Sequence, residues 1–305
     1  FPPTELFRQM PWRDQILDGL LGADLVGFQR PGGAANFARL VRLRLGHKTH
    51  RDKIVLADGR EVGARAYPIS IDFEGLQALA RTDAVRQRAL QIRADLGHPR
   101  HVLLGVDRLD YTKGIRPRLR AFGELISDGR ASVEDAVFVQ VATPSRERVE
   151  QYQEVRADIE RWVGRINGDL GTIGHQPVQY LHTSFPREEM AALYQAADIM
   201  VVTPFADGMN LVAKEYVTCR DDNTGALVLS EFAGASDELR QAFIVNPHDI
   251  NGVKDSLWAA MQAPPAELAR RMRAMRRHVR EHDINAWAGS FLADLSADEA
   301  ARRSA

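Results

Sequence analysis

Cysteine is almost absent. Cys219 stands alone in 305 residues, so no disulfide can close within the chain, which fits a reducing, cytoplasmic setting. Its place on an apolar helix face predicts a small packed side chain rather than a reactive thiol. An excess of either charge is absent too. Lys and Arg number 40 against 41 Asp and Glu, a net charge of -1, which argues against a general nucleic-acid or membrane-surface binder. Any bound anion must be met by local positive charge. No apolar run approaches the ~20 residues of a membrane-spanning helix, and no signal-peptide pattern opens the chain. The sequence has no GxxxxGK(S/T), no GxGxxG after a strand, no HExxH and no paired CxxC. Repeats and low-complexity stretches are lacking as well. His47, His50, His98 and His101 are neighbours in sequence only and read as surface or linker residues.

Hydrophobic residues make up 45% and charged residues 27%, a balance that fills a sizeable core, and the length suggests about two domains. Residues 12–21 are amphipathic, 24–28 form a short strand, and a second amphipathic helix over 34–45 follows the turn residues Pro31, Gly32 and Gly33. Two extended pieces over 53–71 flank Asp58-Gly59, a hairpin signal. Residues 73–96 read as helix, stopped by Gly97-His98-Pro99, and the domain boundary is expected there. Beyond it strand and helix alternate about six times. Strands are expected at 102–106, 135–141, 177–181, 199–203, 226–230 and 242–245, with helices between them. That alternation predicts an α/β fold with a doubly wound parallel sheet. A basic helix over 270–280 reads as a solvated face. Residues 285–295, amphipathic around Trp287 and Phe291, are expected to dock elsewhere, with a frayed tail from 296.

The chain is organised around residues 198–220, DIMVVTPFADGMNLVAKEYVTCR. A buried strand stops and a helix starts, the ligand-binding junction of an open α/β sheet. Gly208 lets backbone approach a ligand closely. The N–H groups of Met209, Asn210 and Leu211 are then unpaired first-turn donors, which attract phosphate. Glu215, one turn further in, is placed to accept from a sugar hydroxyl pair. The competing reading is that Asp207 or Asn210 caps the helix and Glu215 faces solvent. Three further loops end on the same rim. DRLDYTKG carries Arg108 and Lys113, two cations suited to a diphosphate, unless Arg108 pairs with Asp107 or Asp110. Ser145-Arg146 could hold another anion or face solvent. Phe185 could cover a flat base or pack in the core.

GVDRLDYTKGI (105–115), the stretch 143–146, TPFADGMNLVAKEY (203–216) and LSEFAGA (229–235) together resemble the trehalose-6-phosphate synthase family, retaining glycosyltransferases of the two-Rossmann-domain GT-B class. Phe1-Pro2-Pro3, Trp12 and Gly27-Phe28-Gln29 resemble the end of that family's first domain. The resemblance implies transfer of glucose from UDP-glucose or another NDP-glucose to the C1 hydroxyl of glucose 6-phosphate, with retention, in trehalose biosynthesis. Arg108 and Lys113 would grip the donor diphosphate and stabilise the leaving nucleotide. Asp207 would hold donor glucose hydroxyls, assisted by the N–H groups of Gly208, Met209 and Asn210, while that of Leu211 binds phosphate. Glu215 would hold the ribose, Phe185 the base, and Arg146 the acceptor phosphate. No metal or other cofactor is implied. The family reacts by a same-face route in which the leaving phosphate takes the acceptor proton, which agrees with the lack of a glycosidase-like carboxylate pair. The resemblance also implies a segment ahead of Phe1 that supplies a glycine-containing donor loop, a His and most of the acceptor site. Residues 1–96 are then the C-terminal part of the acceptor-side domain, and 97–284 the nucleotide-sugar-binding domain. Residues 285–305 are a helix and tail packing back toward the first domain. Ser70 stands where the family more often has Gly. The alternative reading is a nucleotide-sugar-binding fragment without full activity. The expected partners are the two small-molecule substrates; the base of the donor is not encoded, and a homo-oligomer stays open.

Overall fold

Chain order explains the architecture. The computed structural model describes residues 1–145 and 148–303. It divides into two units, one of residues 1–70 with 282–305 and one of residues 71–281.

The first unit begins with helices α1 (Thr4–Phe7) and α2 (Arg13–Leu20), strand β1 (Leu25–Phe28) and helix α3 (Pro31–Leu45). Strands β2 (Lys48–His50), β3 (Lys53–Val55) and β4 (Glu61–Ala66) follow. The four strands form one sheet in the order β1-β4-β3-β2; β1 runs parallel to β4, and the other two pairs are antiparallel. Gly59, at φ +87°, makes the expected turn between β3 and β4. Helix α3 starts three residues earlier than the sequence suggests. Pro31 is its first residue, where a missing N–H is no loss and a fixed φ is preorganised. Phe37, Leu40 and Val41 of α3 pack with Leu17, Ile54 and Val62 in a closed core.

The second unit opens with α4 (Phe73–Ala80) and α5 (Asp83–Asp95). One helix was expected here; Thr82 breaks it, its hydroxyl accepting from the Val85 N–H at 3.4 Å. These helices pack against helices that cover the larger sheet, so the division falls after Ser70 rather than at residue 97. Arg88 forks onto Glu189 at 2.8–3.0 Å, and the Gln195 amide donates to the Ala80 carbonyl at 2.6 Å. Then come β5 (His101–Arg108), α6 (Ile115–Ser127), β6 (Ala136–Thr143), α7 (Glu150–Leu170), β7 (Val178–Leu181), α8 (Arg187–Ala196), β8 (Ile199–Val202) and α9 (Leu211–Cys219). Strand β9 (Ala226–Ser230), strand β10 (Phe243–Val245) and helices α10 (Ile250–Gln262) and α11 (Pro265–Glu281) complete the unit. The sheet order is β10-β9-β8-β5-β6-β7, and every pair is parallel. Strands β8 and β9 are buried throughout, as strands covered on both faces must be. Helices α6, α7 and α10 share one apolar cluster with the sheet through Leu119, Phe122, Ile159, Val163, Val253 and Leu257.

Helix α11 is not simply a solvated basic face. Arg276 is buried and donates to the carbonyls of Val217 and Thr218 at 3.0 and 2.5 Å, satisfying acceptors in the last turn of α9. The last helix, α12 (Ile284–Arg303), belongs to the first unit and continues through the stretch expected to fray. Its Trp287 indole donates to the Tyr67 carbonyl at 3.1 Å, and the Tyr67 hydroxyl donates to Asp294 at 2.7 Å. No described helix is long and apolar enough to cross a membrane.

Candidate active site

Numbered within their own sheet, the six parallel strands run 3-2-1-4-5-6 from β7 to β10. The chain moves outward from β5 in one direction through β6 and β7, then returns beside β5 as β8. The loops after β5 and β8 therefore diverge at a topological switch point, where doubly wound sheets leave a crevice for ligands. Those two loops carry most of the residues singled out in the sequence.

Backbone contacts fasten the loops together. The Phe205 N–H donates to the Thr112 carbonyl at 2.7 Å. Gly114 has φ +61°, and a Cβ there would stand 2.1 Å from the Thr203 carbonyl oxygen, so only glycine permits this approach. Below the crevice, Arg118 and Asp107 form an ion pair with no exposed side-chain surface on the first and almost none on the second. Arg118 also donates to the Val201 carbonyl at 2.7 Å and the Lys113 carbonyl at 2.9 Å. One guanidinium thus ties the end of β8 to the loop after β5. Burial pushes the Asp107 carboxyl up, and the Arg118 charge opposes it.

The Lys113 ammonium lies 2.7 Å from Asp207 Oδ2. Asn210 Nδ2 donates to the same oxygen at 3.2 Å, and the Met209 N–H approaches Asp207 Oδ1 at 3.4 Å. Asn210 takes φ +84°, and its Oδ1 accepts from the Ala213 N–H at 3.1 Å. The capping reading is therefore right for Asn210. It leaves the Leu211 and Val212 N–H groups at the helix start without an acceptor among the described residues, so a side-chain cap and open first-turn donors coexist. Arg108, the last residue of β5, is exposed and has no ion-pair partner among the described residues. The structural pairings weighed for it do not form. Asp107 is taken by Arg118, and Asp110 accepts from the Thr112 N–H and hydroxyl at 2.8 Å and from the Tyr152 hydroxyl at 3.2 Å. Burial works upward on Asp110, but the Thr112 and Tyr152 hydrogen bonds and the Lys113 charge outweigh it and hold the carboxyl below the usual range.

Glu215 is half-buried on α9, and its Oε2 accepts from the Tyr194 hydroxyl at 2.7 Å. Burial and the Glu215 charge push the Tyr194 phenol well up, so it stays a donor and fixes the carboxylate while Oε1 remains for another partner. Leu211 is the first residue of the same helix. Phe185 stands half-buried in the loop between β7 and α8. Arg146 lies outside the described residues. Sequence reasoning missed Arg118, Tyr194 and the role of Gly234. A Cβ on Gly234 would stand 2.1 Å from the Gly208 carbonyl oxygen; its place in LSEFAGA was the available signal.

An all-parallel sheet of this order, with two cations and an open helix start at its switch point, defines a doubly wound, Rossmann-like α/β unit. A sequence profile described as "Glycosyltransferase family 20" matches residues 1–297, and the chain belongs to that family. It is 59% identical over 307 residues to a "Trehalose-6-phosphate synthase" of Mycolicibacterium gilvum, covering 98% of this chain and 61% of that protein. It thus spans about three fifths of the curated relatives it matches. Among solved structures it resembles the UDP-forming alpha,alpha-trehalose-phosphate synthase of Burkholderia xenovorans in complex with glucose-6-phosphate. That match has a TM-score of 0.91 at 36% identity, over 97% of this chain and 66% of that one. An E. coli trehalose-6-phosphate protein bound with UDP-2-fluoro glucose matches with a TM-score of 0.90 at 35% identity, over 97% and 65%.

Proposed function

We propose that this chain serves transfer of glucose from an NDP-glucose, such as UDP-glucose, to glucose 6-phosphate in trehalose biosynthesis. The product is α,α-trehalose 6-phosphate, formed with retention in the cytoplasm. The observation that carries the reading is the 2.7 Å contact of Lys113 with Asp207, which joins the cation loop to the glycine turn at the switch point. Arg108, Lys113 and the Leu211 N–H hold the donor diphosphate. Lys113 has three donors, so its bond to Asp207 leaves two for phosphate oxygens. Asp207 orients donor glucose hydroxyls beside the N–H groups of Gly208, Met209 and Asn210. Glu215, fixed by Tyr194, takes the ribose hydroxyls, Phe185 the base, and Arg146 the acceptor phosphate.

In the reaction the bond from glucose C1 to the β-phosphate oxygen breaks, and a bond from C1 to the acceptor C1 oxygen forms on the same face. The acceptor proton passes to the departing phosphate oxygen. Negative charge grows on the diphosphate as the bond breaks, and stabilising it is the main electrostatic task. Two cations and a helix start supply the opposing positive charge, so the reading requires no divalent metal. Incubation with UDP-, ADP- or GDP-glucose and glucose 6-phosphate, followed by NMR of the product, tests it. An α,α-linked disaccharide phosphate, formed at a rate unchanged by EDTA, supports the proposal. UDP binding without product supports a nucleotide-sugar-binding module instead.

A further inference from the structure

The LSEFAGA segment, unused in the mechanism above, packs its backbone directly on the glycine turn. The Gly234 N–H donates to the Asp207 carbonyl at 3.0 Å, and the Ala235 N–H to the Met209 carbonyl at 2.8 Å. In return the Asp207 N–H donates to the Phe232 carbonyl at 3.2 Å. The close approach at Gly234 leaves no room for a side chain against Gly208. A few residues on, Glu238 reaches α9 and meets Lys214, Nζ to Oε2 2.6 Å, with the two side chains 1% and 11% exposed. Lys214 immediately precedes Glu215, about 100° away around the helix. His278 of α11 stands 3.5 Å from the other Glu238 oxygen.

We propose that residues 231–239 are a brace for the 207–211 turn, and that Lys214 and Glu238 are positioning residues that hold α9 in register with it. A buried ion pair rarely adds net stability over an apolar pair of similar volume, because desolvation offsets the attraction. Burial pushes the Lys214 ammonium down from its usual range, and Glu238 opposes that. What the pair supplies is direction. An ammonium against a carboxylate fixes distance and angle, whereas an apolar contact tolerates sliding. The slide would displace Glu215 and the Leu211 N–H together, because both belong to α9. The geometry of the brace stands on the contacts above; its consequence for binding rests on the nucleotide-sugar reading of the turn.

The test is the double variant Lys214→Met with Glu238→Leu, compared with the unaltered protein in three measurements. Thermal unfolding should be unchanged or shifted upward. Amide hydrogen exchange over 207–213 should quicken by about tenfold or more, since the turn opens locally. The Kd for UDP should rise by about tenfold, the signature of misplaced donors rather than lost ones. Unchanged exchange and unchanged Kd in a stably folded double variant would overturn the brace. If the double variant does not fold, Gly234→Ala replaces it. Its added methyl must displace Gly208, so exchange and Kd should rise there too, and no change in either would overturn the brace equally. Failure of the unaltered protein to bind UDP would remove the nucleotide-sugar reading, while the exchange comparison would still decide the brace.

Discussion

The two ends of the six-stranded sheet use the same residue types in opposite ways. At the amino end, Arg93 donates to the Ala196 carbonyl, the Pro99 carbonyl and Asp198, all at 2.8–2.9 Å. Arg220 donates to the carbonyls of Gln195 and Ala197 at 2.6 and 2.8 Å and also bonds Asp222 and Thr224. Their guanidinium groups are committed to backbone and neighbouring side chains. Among the described residues at the carboxyl end, Arg108 has no partner, Lys113 has one acceptor for three donors, and the Leu211 and Val212 amides lack acceptors. One rim spends its guanidinium groups on structure and the other holds donors in reserve. Uncommitted donor capacity at a switch point, more than charge itself, separates a binding edge from a structural one.

The strongest way to break that contrast is to remove a reserve cation. Arg108→Ala or Lys113→Ala should lower kcat/KM by about 100-fold or more, the loss expected for one key transition-state donor. A near-normal rate in either variant would refute the diphosphate role. At the other end Arg93→Ala should destabilise the fold by about 1–3 kcal/mol, because it removes the donor to two carbonyls and the counter-charge of Asp198, which keeps the Val102 N–H at 2.8 Å, and leave the UDP affinity of the folded protein unchanged. A loss of affinity there would erase the distinction between the rims; calorimetry and denaturant melts read both. Acid sharpens it further. Asp110 is held below its ordinary value of 3.8, so its contribution to stability is complete above that pH and is lost as pH falls through the lower folded value. Asp110→Asn should be less stable at neutral pH and should flatten the acid limb below pH 3.8, read by melts across that range. The smallest effect concerns Cys219. Burial pushes its thiol up to about 12, so a thiol reagent at pH 8 should label it only after unfolding. Prompt labelling of the folded protein would contradict the packed environment.

Much of this was legible where burial wrote a local pattern. Strand β9 falls at the expected residues, and β8 within one, because continuous apolar runs leave few alternatives. Asp207, Asn210 and Lys113 converge as expected because a parallel sheet brings its strand ends to one rim. What stayed hidden depends on partners far along the chain. Strand β2 is a polar KTH that only pairing with β3 makes a strand. The break at Thr82 is a single hydroxyl cap within an otherwise helical pattern. The unit division after Ser70 is set by how α4 and α5 meet α8 and α9, which no periodicity records. Arg276 reads as a solvated cation until the end of α9 supplies its carbonyls. Lys214 and Glu238 are 24 residues apart, and nothing in either neighbourhood announces a buried pair.

The switch-point rim as a diphosphate site is tested most directly by calorimetric titration of the protein with UDP and, separately, with uridine. If Arg108, Lys113 and the Leu211 amide meet a diphosphate, UDP should bind at least about 100-fold more tightly than uridine, roughly two charge-assisted contacts' worth. Equal affinity for the two, or no binding of UDP, would contradict it.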